Sequence, residues 1–176
     1  MRLLWDLQCG SSDRIWIKWC NSHLLKSRNI WSLKIPHSCT WSWRKILQLR
    51  YPARLLIKHK VGNGADTSFW WDNWAQGGLL CIRFLTNVLT DHGLNDSITL
   101  DNFIEGSTWS FPQSLTAIIP ELMQLQLPCP SIANKKVWTA SSTGQYNFSH
   151  TAAHLAGNLK WCRGLIWCGN PQLSLK

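Results

Sequence analysis

The sequence predicts an α+β fold: amino-terminal helices, a central β-hairpin, and a carboxy-terminal hairpin plus helix that together read as the opening of an incomplete domain. Three observations lead there. Apolar residues recur at three- and four-residue steps through most of the first fifty positions. Two β-prone stretches flank turn-forming runs, at Gly62-Asn63-Gly64-Ala65-Asp66 and at Ala140-Ser141-Ser142-Thr143-Gly144. Thirteen tryptophans among 176 residues, five of them directly beside Lys, Arg or Asp, supply either core filler or stacking surface.

The first helix is expected from Ile15 onward, where Ile15, Trp16, Trp19, His23 and Leu24 share one face and Lys18, Lys26 and Arg28 lie mostly outside it. Ser12-Asp13 precedes it as a cap, because a short side-chain oxygen there accepts from the unpaired first N–H groups. Pro36 closes the segment. A second helix over 41–50 rests on Trp43, Ile46, Leu47 and Arg50, and Pro52 interrupts or restarts it. Residues 53–61 fit a third helix or a strand, the alternation Ile57, His59, Val61 favouring a strand at the end. Residues 57–71 then read as a hairpin whose second strand is Thr67-Ser68-Phe69-Trp70-Trp71, ended by Asp72 and Asn73. Gln76-Gly77-Gly78 is a flexible connection, short helices follow at 82–90 and 114–126, and 127–131 is a linker. Segments 136–139 and 145–148 make the second hairpin, Ser149 caps a helix running to about residue 158, and a last segment spans 161–167.

Charge is distributed unevenly. Residues 1–60 hold 12 Lys/Arg and 2 Asp/Glu, residues 61–130 hold 1 and 7, and residues 131–176 hold 5 and 0, for a net +9. A basic amino-terminal third points to a polyanion, nucleic acid being the commonest, or to an acidic surface in a larger parent protein. The residues expected to touch phosphate are Arg44, Lys45, Arg50, Arg54, Lys58 and Lys60, interleaved with Trp41 and Trp43. The competing reading is a solvated amphipathic helix whose indoles are buried.

Seven scattered cysteines with no secretory signal before them argue for a reducing compartment and against a disulfide framework. Asn95-Asp96-Ser97 and Asn147-Phe148-Ser149 are then chance glycosylation matches, no apolar run reaches membrane-spanning length, and the expectation is a soluble intracellular chain. Gly62-Asn63-Gly64 lacks the further glycines and the helix that a phosphate cradle needs. Cys20, His23, His37 and Cys39 are metal-ligand types, but the second spacing, His37 to Cys39, is tighter than a usual metal knuckle and His23 falls on the expected apolar face. Asp66 and Asp72 would sit at opposite ends of one strand, too far apart to share two metal ions; Asp72 more naturally caps the hairpin or bonds an indole or backbone N–H. No nucleophile elbow or triad order is present. The expectation is no catalytic residue, no metal site and no cofactor.

Five blocks carry a resemblance. They are Leu4-Trp5 with Ile15-Trp16-Ile17-Lys18-Trp19; Arg28-Asn29-Ile30-Trp31; Trp41-Ser42-Trp43-Arg44-Lys45-Ile46-Leu47; Gly62-Asn63-Gly64 with Phe69-Trp70-Trp71-Asp72-Asn73-Trp74; and Val137-Trp138-Thr139 with Gly144-Gln145-Tyr146-Asn147-Phe148-Ser149. In order and spacing they resemble the carboxy-terminal part of plant LINE-type (non-LTR) retrotransposon reverse transcriptases, between the polymerase thumb and the zinc-binding domain. The resemblance implies an RNA-directed DNA polymerase as parent, with catalytic aspartates upstream and zinc-binding cysteines and histidine downstream. Neither set has a counterpart here, and Asn170-Pro171-Gln172-Leu173 stands where the family continues through Ile-Pro-Arg or Ile-Pro-Lys.

The resulting expectation is a non-catalytic fragment of such an enzyme, once gripping template or primer backbone. Its partners would be RNA or DNA backbone and the missing polymerase domain of the parent, with no membrane involved. It divides into a basic helical and hairpin region (1–75), an acidic linker region (76–131) and the truncated start of the zinc-binding domain (132–176). Trp70, Trp71 and Trp74 are expected to be structural. The alternative is a genomic remnant with no biochemical function. A Trp-rich carbohydrate-binding module has too little strand alternation and too much positive charge in its favour.

Overall fold

The computed structural model describes residues 1–9, 13–26, 28–85, 87–125, 129 and 131–157, and among them the α+β class holds. Eight α-helices accompany two antiparallel sheets of two strands each. Helix α1 (Arg2–Cys9) buries Leu4, Trp5 and Leu7. Beside them Asp6, itself buried, accepts from Arg2 at 3.1 Å and Arg14 at 2.7 Å.

Helix α2 (Ile15–Trp19) runs directly into a π-helical turn (Cys20–Leu25) that ends on Lys26 at φ 50°. The structure corrects the expected face: the inward stripe is Ile17, Cys20 and Leu25, so Ile15, Trp16, Trp19 and His23 stand exposed. The extra residue of the π turn is what makes Leu25, rather than Leu24, continue the stripe of Ile17 and Cys20. The position before the helix belongs to Arg14, which makes no side-chain cap; Asp13 therefore does not cap, and Ser12 lies outside the described residues.

Helix α3 (Trp41–Gln48) is capped by Thr40, whose hydroxyl accepts from the Trp43 N–H, and buries Trp43, Ile46 and Leu47. Helix α4 (Arg50–Leu56) restarts at once, and Pro52 falls in its first turn, where a missing N–H costs no intrahelical bond. Strand β1 (Ile57–Lys60) follows without a break, which settles the 53–61 ambiguity as helix, then strand.

Neither expected hairpin forms, because the first strand of each pairs with the other. Strand β1 lies antiparallel to β4 (Lys135–Trp138), with Ile57 opposite Trp138, Lys58 opposite Val137, His59 opposite Lys136 and Lys60 opposite Lys135. The Gly62-Asn63-Gly64 loop brings them together: the N–H groups of Gly62 and Gly64 both donate to Asn134 Oδ1, at 2.8 and 3.0 Å. At Gly62 the approach is so close that a Cβ would lie 2.1 Å from the Ile132 carbonyl oxygen. The expected second strand, 67–71, instead coils into a turn, because Asp72 Oδ2 accepts the Ser68 N–H at 2.8 Å; only a lone bridge from Ser68 to Thr99 remains. After β4 the chain closes a tight loop through Trp138 N–H to the Gly144 carbonyl, 2.8 Å. Helix α8 (Phe148–Gly157) is then capped by Asn147 rather than Ser149, its Oδ1 accepting from the His150 N–H at 3.0 Å. The expected 161–167 segment and most of the 127–131 linker lie outside the described residues.

In the middle of the chain, the expected 82–90 helix is two short ones, α5 (Leu80–Arg83) and α6 (Asn87–Asp91). A hairpin not anticipated from sequence, β2 (Ile104–Glu105) and β3 (Thr108–Trp109), turns at Gly106 with φ 62°. Helix α7 (Gln113–Ile118) stops ahead of Pro120, which cannot donate into a continuing helix, and a 3-10 segment (Pro120–Gln124) completes the stretch.

Two apolar cores result. One joins α1 to α4, β1 and Trp138; the other gathers Phe69, Trp70 and Trp74 with Leu80, Leu100, Phe103, Leu115 and Ile119, and Trp71 packs against both. The acidic stretch thus contributes a packed core rather than running as a connection. Trp70 and Trp74 are buried in it, structural as expected.

Candidate nucleic-acid interface

The β1–β4 ribbon sorts its residues by the two-residue strand period. Ile57 and His59 face inward while Lys58 and Lys60 are exposed. Lys60 stands directly opposite Lys135, also exposed, so the outer face of this short ribbon carries three ammonium groups. None of the three forms an ion pair among the described residues. Like charges directly opposite in a sheet work against it, so the arrangement is one that an added polyanion would stabilise.

The six expected phosphate ligands divide. Lys58 and Lys60 are on that ribbon face. Lys45 is exposed on α3, with its ammonium 5.7 Å from the Trp41 ring centroid. Arg44 is half-buried, and its Nη2 donates to the carbonyls of Pro36 (3.3 Å) and His37 (2.8 Å), tying that loop to α3.

Arg50 and Arg54 are engaged inside the protein, a correction to their expected role. Arg50 is only 5% exposed. Its Nε donates to the Leu47 carbonyl (2.8 Å) and its Nη1 to those of Leu33 (2.7 Å), Trp31 (3.4 Å) and Ile30. A cation whose donors meet backbone carbonyls in this way holds a turn, not a ligand. Arg54 lies over the rings of Trp31 (5.3 Å) and Trp71 (5.2 Å), with Nε and Nη2 buried and without hydrogen-bond partners. Burial lowers the pKa of both guanidiniums from the ordinary arginine value. The sequence signal for the exclusion is helical phase: Arg50 recurs with Trp43, Ile46 and Leu47 on the buried stripe.

Asp72 is the polar centre under the ribbon. Its Oδ1 accepts from Trp31 Nε1 at 2.9 Å and its Oδ2 from the Ser68 N–H, so it bonds both an indole and a backbone donor, as its sequence setting suggested. His59 Nε2 stands 3.6 Å from Oδ1. Burial pushes the imidazole pKa down, Asp72 pulls it up and Lys136 again lowers it, with burial prevailing. Neither imidazole nitrogen has a hydrogen-bond partner among the described residues.

Beside the ribbon lies a cleft of about 760 Å³ lined by Arg28, Asp66, Asp72, Asn134, Lys135 and Lys136 among others. Lys136 donates from Nζ to the Gln8 carbonyl, closing one wall. Cys9, on the same wall, has its thiol pushed up to about 11 by burial. Among the described residues no three His, Cys, Asp or Glu side chains gather where they could hold a metal ion, and Cys9, Cys20, Cys39, Cys81 and Cys129 are free thiols. No described helix is long and apolar enough to cross a membrane.

Sequence reasoning missed Lys135 and Asn134. The signal is there in part: Ile57-Lys58-His59-Lys60 and Lys135-Lys136-Val137-Trp138 are both short basic strands, and pairing each within its own hairpin separates them. No family model, curated protein or solved structure matches the chain.

Proposed function

We propose that the chain is a non-catalytic unit that holds the sugar-phosphate backbone of RNA or DNA, and that it derives from a LINE-type reverse transcriptase outside the polymerase core. One observation carries the binding reading: Lys60 and Lys135 face each other across β1 and β4, with Lys58 on the same exposed face and no carboxylate partner among the described residues. Phosphates spaced along a strand convert that repulsion into attraction and release counterions as they do so. The resemblance of the five sequence blocks supports the origin. Membership in the parent enzyme, the loss of its catalytic function and an intracellular site of action all rest on that resemblance and on the sequence composition.

The test uses the like-charge pair itself. Lys135→Glu places opposite charges across the ribbon, so thermal stability should rise by about 0.2–1 kcal/mol. Affinity for an oligonucleotide should fall. The slope of log K against log salt should shrink by about 0.7 for each single-strand phosphate the protein no longer neutralises. Unchanged binding in Lys58→Glu/Lys60→Glu/Lys135→Glu would refute the reading.

A remnant without biochemical function has its own observation: large apolar side chains such as Leu85, Met123 and Phe148 are at least three-quarters exposed. A sharp, cooperative melt together with salt-dependent oligonucleotide binding would exclude it.

A further inference from the structure

Among the described residues three tryptophans stand out of the cores: Trp16, Trp19 and Trp41, at 37%, 48% and 73% exposed. An indole left in water forgoes the largest apolar burial a side chain offers, so a group of them marks a contact surface. Their surroundings say what kind. The Lys45 ammonium lies 5.7 Å from the Trp41 centroid. The Trp19 ring lies nearly flat against His23, centroids 5.3 Å apart and planes 14° from parallel, while His23 Nδ1 is held between Ser22 Oγ (2.7 Å) and the Trp19 carbonyl (3.2 Å). The two helical units that carry these rings flank a hollow of about 260 Å³. Leu24, next to His23, lines one side, Trp43 and Leu47 of α3 line the other, and Arg28 and Lys34 supply its charge. From Arg14 to Ala65 the chain has no Asp or Glu, and it has eleven Lys and Arg, the twelve of residues 1–60 less Arg2.

Flat rings beside cations, on a chain segment without carboxylates, match a ligand that presents aromatic faces linked by anions. We propose that Trp19 with His23, and Trp41 with Lys45, are base-stacking platforms, and that the ligand class is single-stranded nucleic acid rather than duplex. A duplex keeps its base faces stacked on one another, and only an unpaired strand offers them to an indole. The inference rests on the backbone-binding reading and adds to it the strand state of the ligand. A protein partner would use the same apolar area, but a segment with eleven cations would ask it for an acidic surface and would leave the ring-on-ring order at Trp19 unused.

The test is fluorescence anisotropy of the full chain with labelled oligo(dT) of about 20 nucleotides and with the same strand annealed as duplex. Wild type should bind the single strand about tenfold tighter or more. Trp19→Ala/Trp41→Ala should lose about tenfold or more on the single strand. It should keep the wild-type salt slope, its duplex affinity and its thermal midpoint, because both rings are largely outside the cores. Trp19→Phe/Trp41→Phe should recover most of the loss. Equal binding of single strand and duplex by wild type would overturn the inference, as would full affinity in the double alanine variant. Full affinity combined with lost self-association would assign the indoles to a protein contact instead. If the Lys58→Glu/Lys60→Glu/Lys135→Glu variant loses binding while the tryptophan variant does not, the stacking inference alone fails. Absence of any binding by wild type would remove both readings together.

Discussion

Asp72→Asn tests the arrangement on which the ribbon stands. The carboxylate has two oxygens and two donors, Trp31 Nε1 at 2.9 Å and the Ser68 N–H at 2.8 Å. An amide keeps one acceptor oxygen and turns an NH₂ group toward the other donor, leaving a buried N–H unpaired at a cost of about 1–3 kcal/mol. The bond that survives also loses its charge assistance, worth about 1 kcal/mol more. The expected destabilisation is therefore about 2–4 kcal/mol, large against the roughly 5–15 kcal/mol of a typical domain. Urea denaturation followed by far-ultraviolet circular dichroism would show it as a lower midpoint with an unchanged slope. His59 adds a pH signature. Burial holds its folded pKa below 6.5 despite Asp72, so the unfolded chain takes up the proton first as the solution is acidified. That contribution to stability is fully present above pH 6.5, declines below it, and stops changing once the pH passes under the folded value. In Asp72→Asn the upward pull on His59 is gone, so the decline should continue to lower pH; in His59→Gln that part of the decline should vanish. A midpoint shift equivalent to less than about 0.5 kcal/mol in Asp72→Asn at neutral pH would mean that the carboxylate does not organise this region.

Arg50→Met should cost about 3–5 kcal/mol, because several carbonyls of the 30–33 turn lose a buried donor at once, and should show in the same urea titration. Asn147→Ala should lower the thermal midpoint by about 0.5–2 kcal/mol equivalent while Ser149→Ala leaves it nearly unchanged, which discriminates between the observed and the expected cap of α8. Asn134→Ala frees the Gly62 and Gly64 N–H groups and should weaken oligonucleotide binding while lowering stability, with no lysine altered; amide exchange at β1 reports the loosened ribbon.

Local elements are legible where a single residue decides them. Pro52 and the three-four recurrence around Trp43 locate α3 and α4, and the glycines at 62 and 64 locate a turn. Strand partners are not legible, because four residues of alternating character specify a face but not a neighbour. Two side chains favour the long-range ladder over the hairpin: Asp72, which coils the expected second strand, and Asn134, lying 70 and more residues from the glycines it holds. The face of α2 departs from expectation because apolar residues stand on both sides of so short a helix, and Ile17 with Cys20, not Ile15 with Trp16 and Trp19, meets the core; the π turn from Cys20 to Leu25 then moves the stripe on to Leu25. Among the six candidate phosphate ligands, Lys58 and Lys60 follow from strand alternation. Arg50 is excluded by the same helical phase that locates α3 and α4, a signal that its charge alone conceals.

The tryptophans explain why composition alone leaves two readings open. Where an indole N–H meets a fixed acceptor inside the fold, the residue is committed to structure. Trp31 donates to Asp72, Trp74 to the Phe69 carbonyl and Trp138 to the Thr151 hydroxyl, each at 2.9 Å. These three bonds cross-link segments distant in sequence or close a tight turn, and they hold β1, β4 and the 68–72 turn in one arrangement. Trp19 and Trp41 have their rings on basic helices outside both cores, where packing gives them nothing to do. The same residue type therefore occupies two settings in one chain, and composition, which counts both alike, cannot separate them.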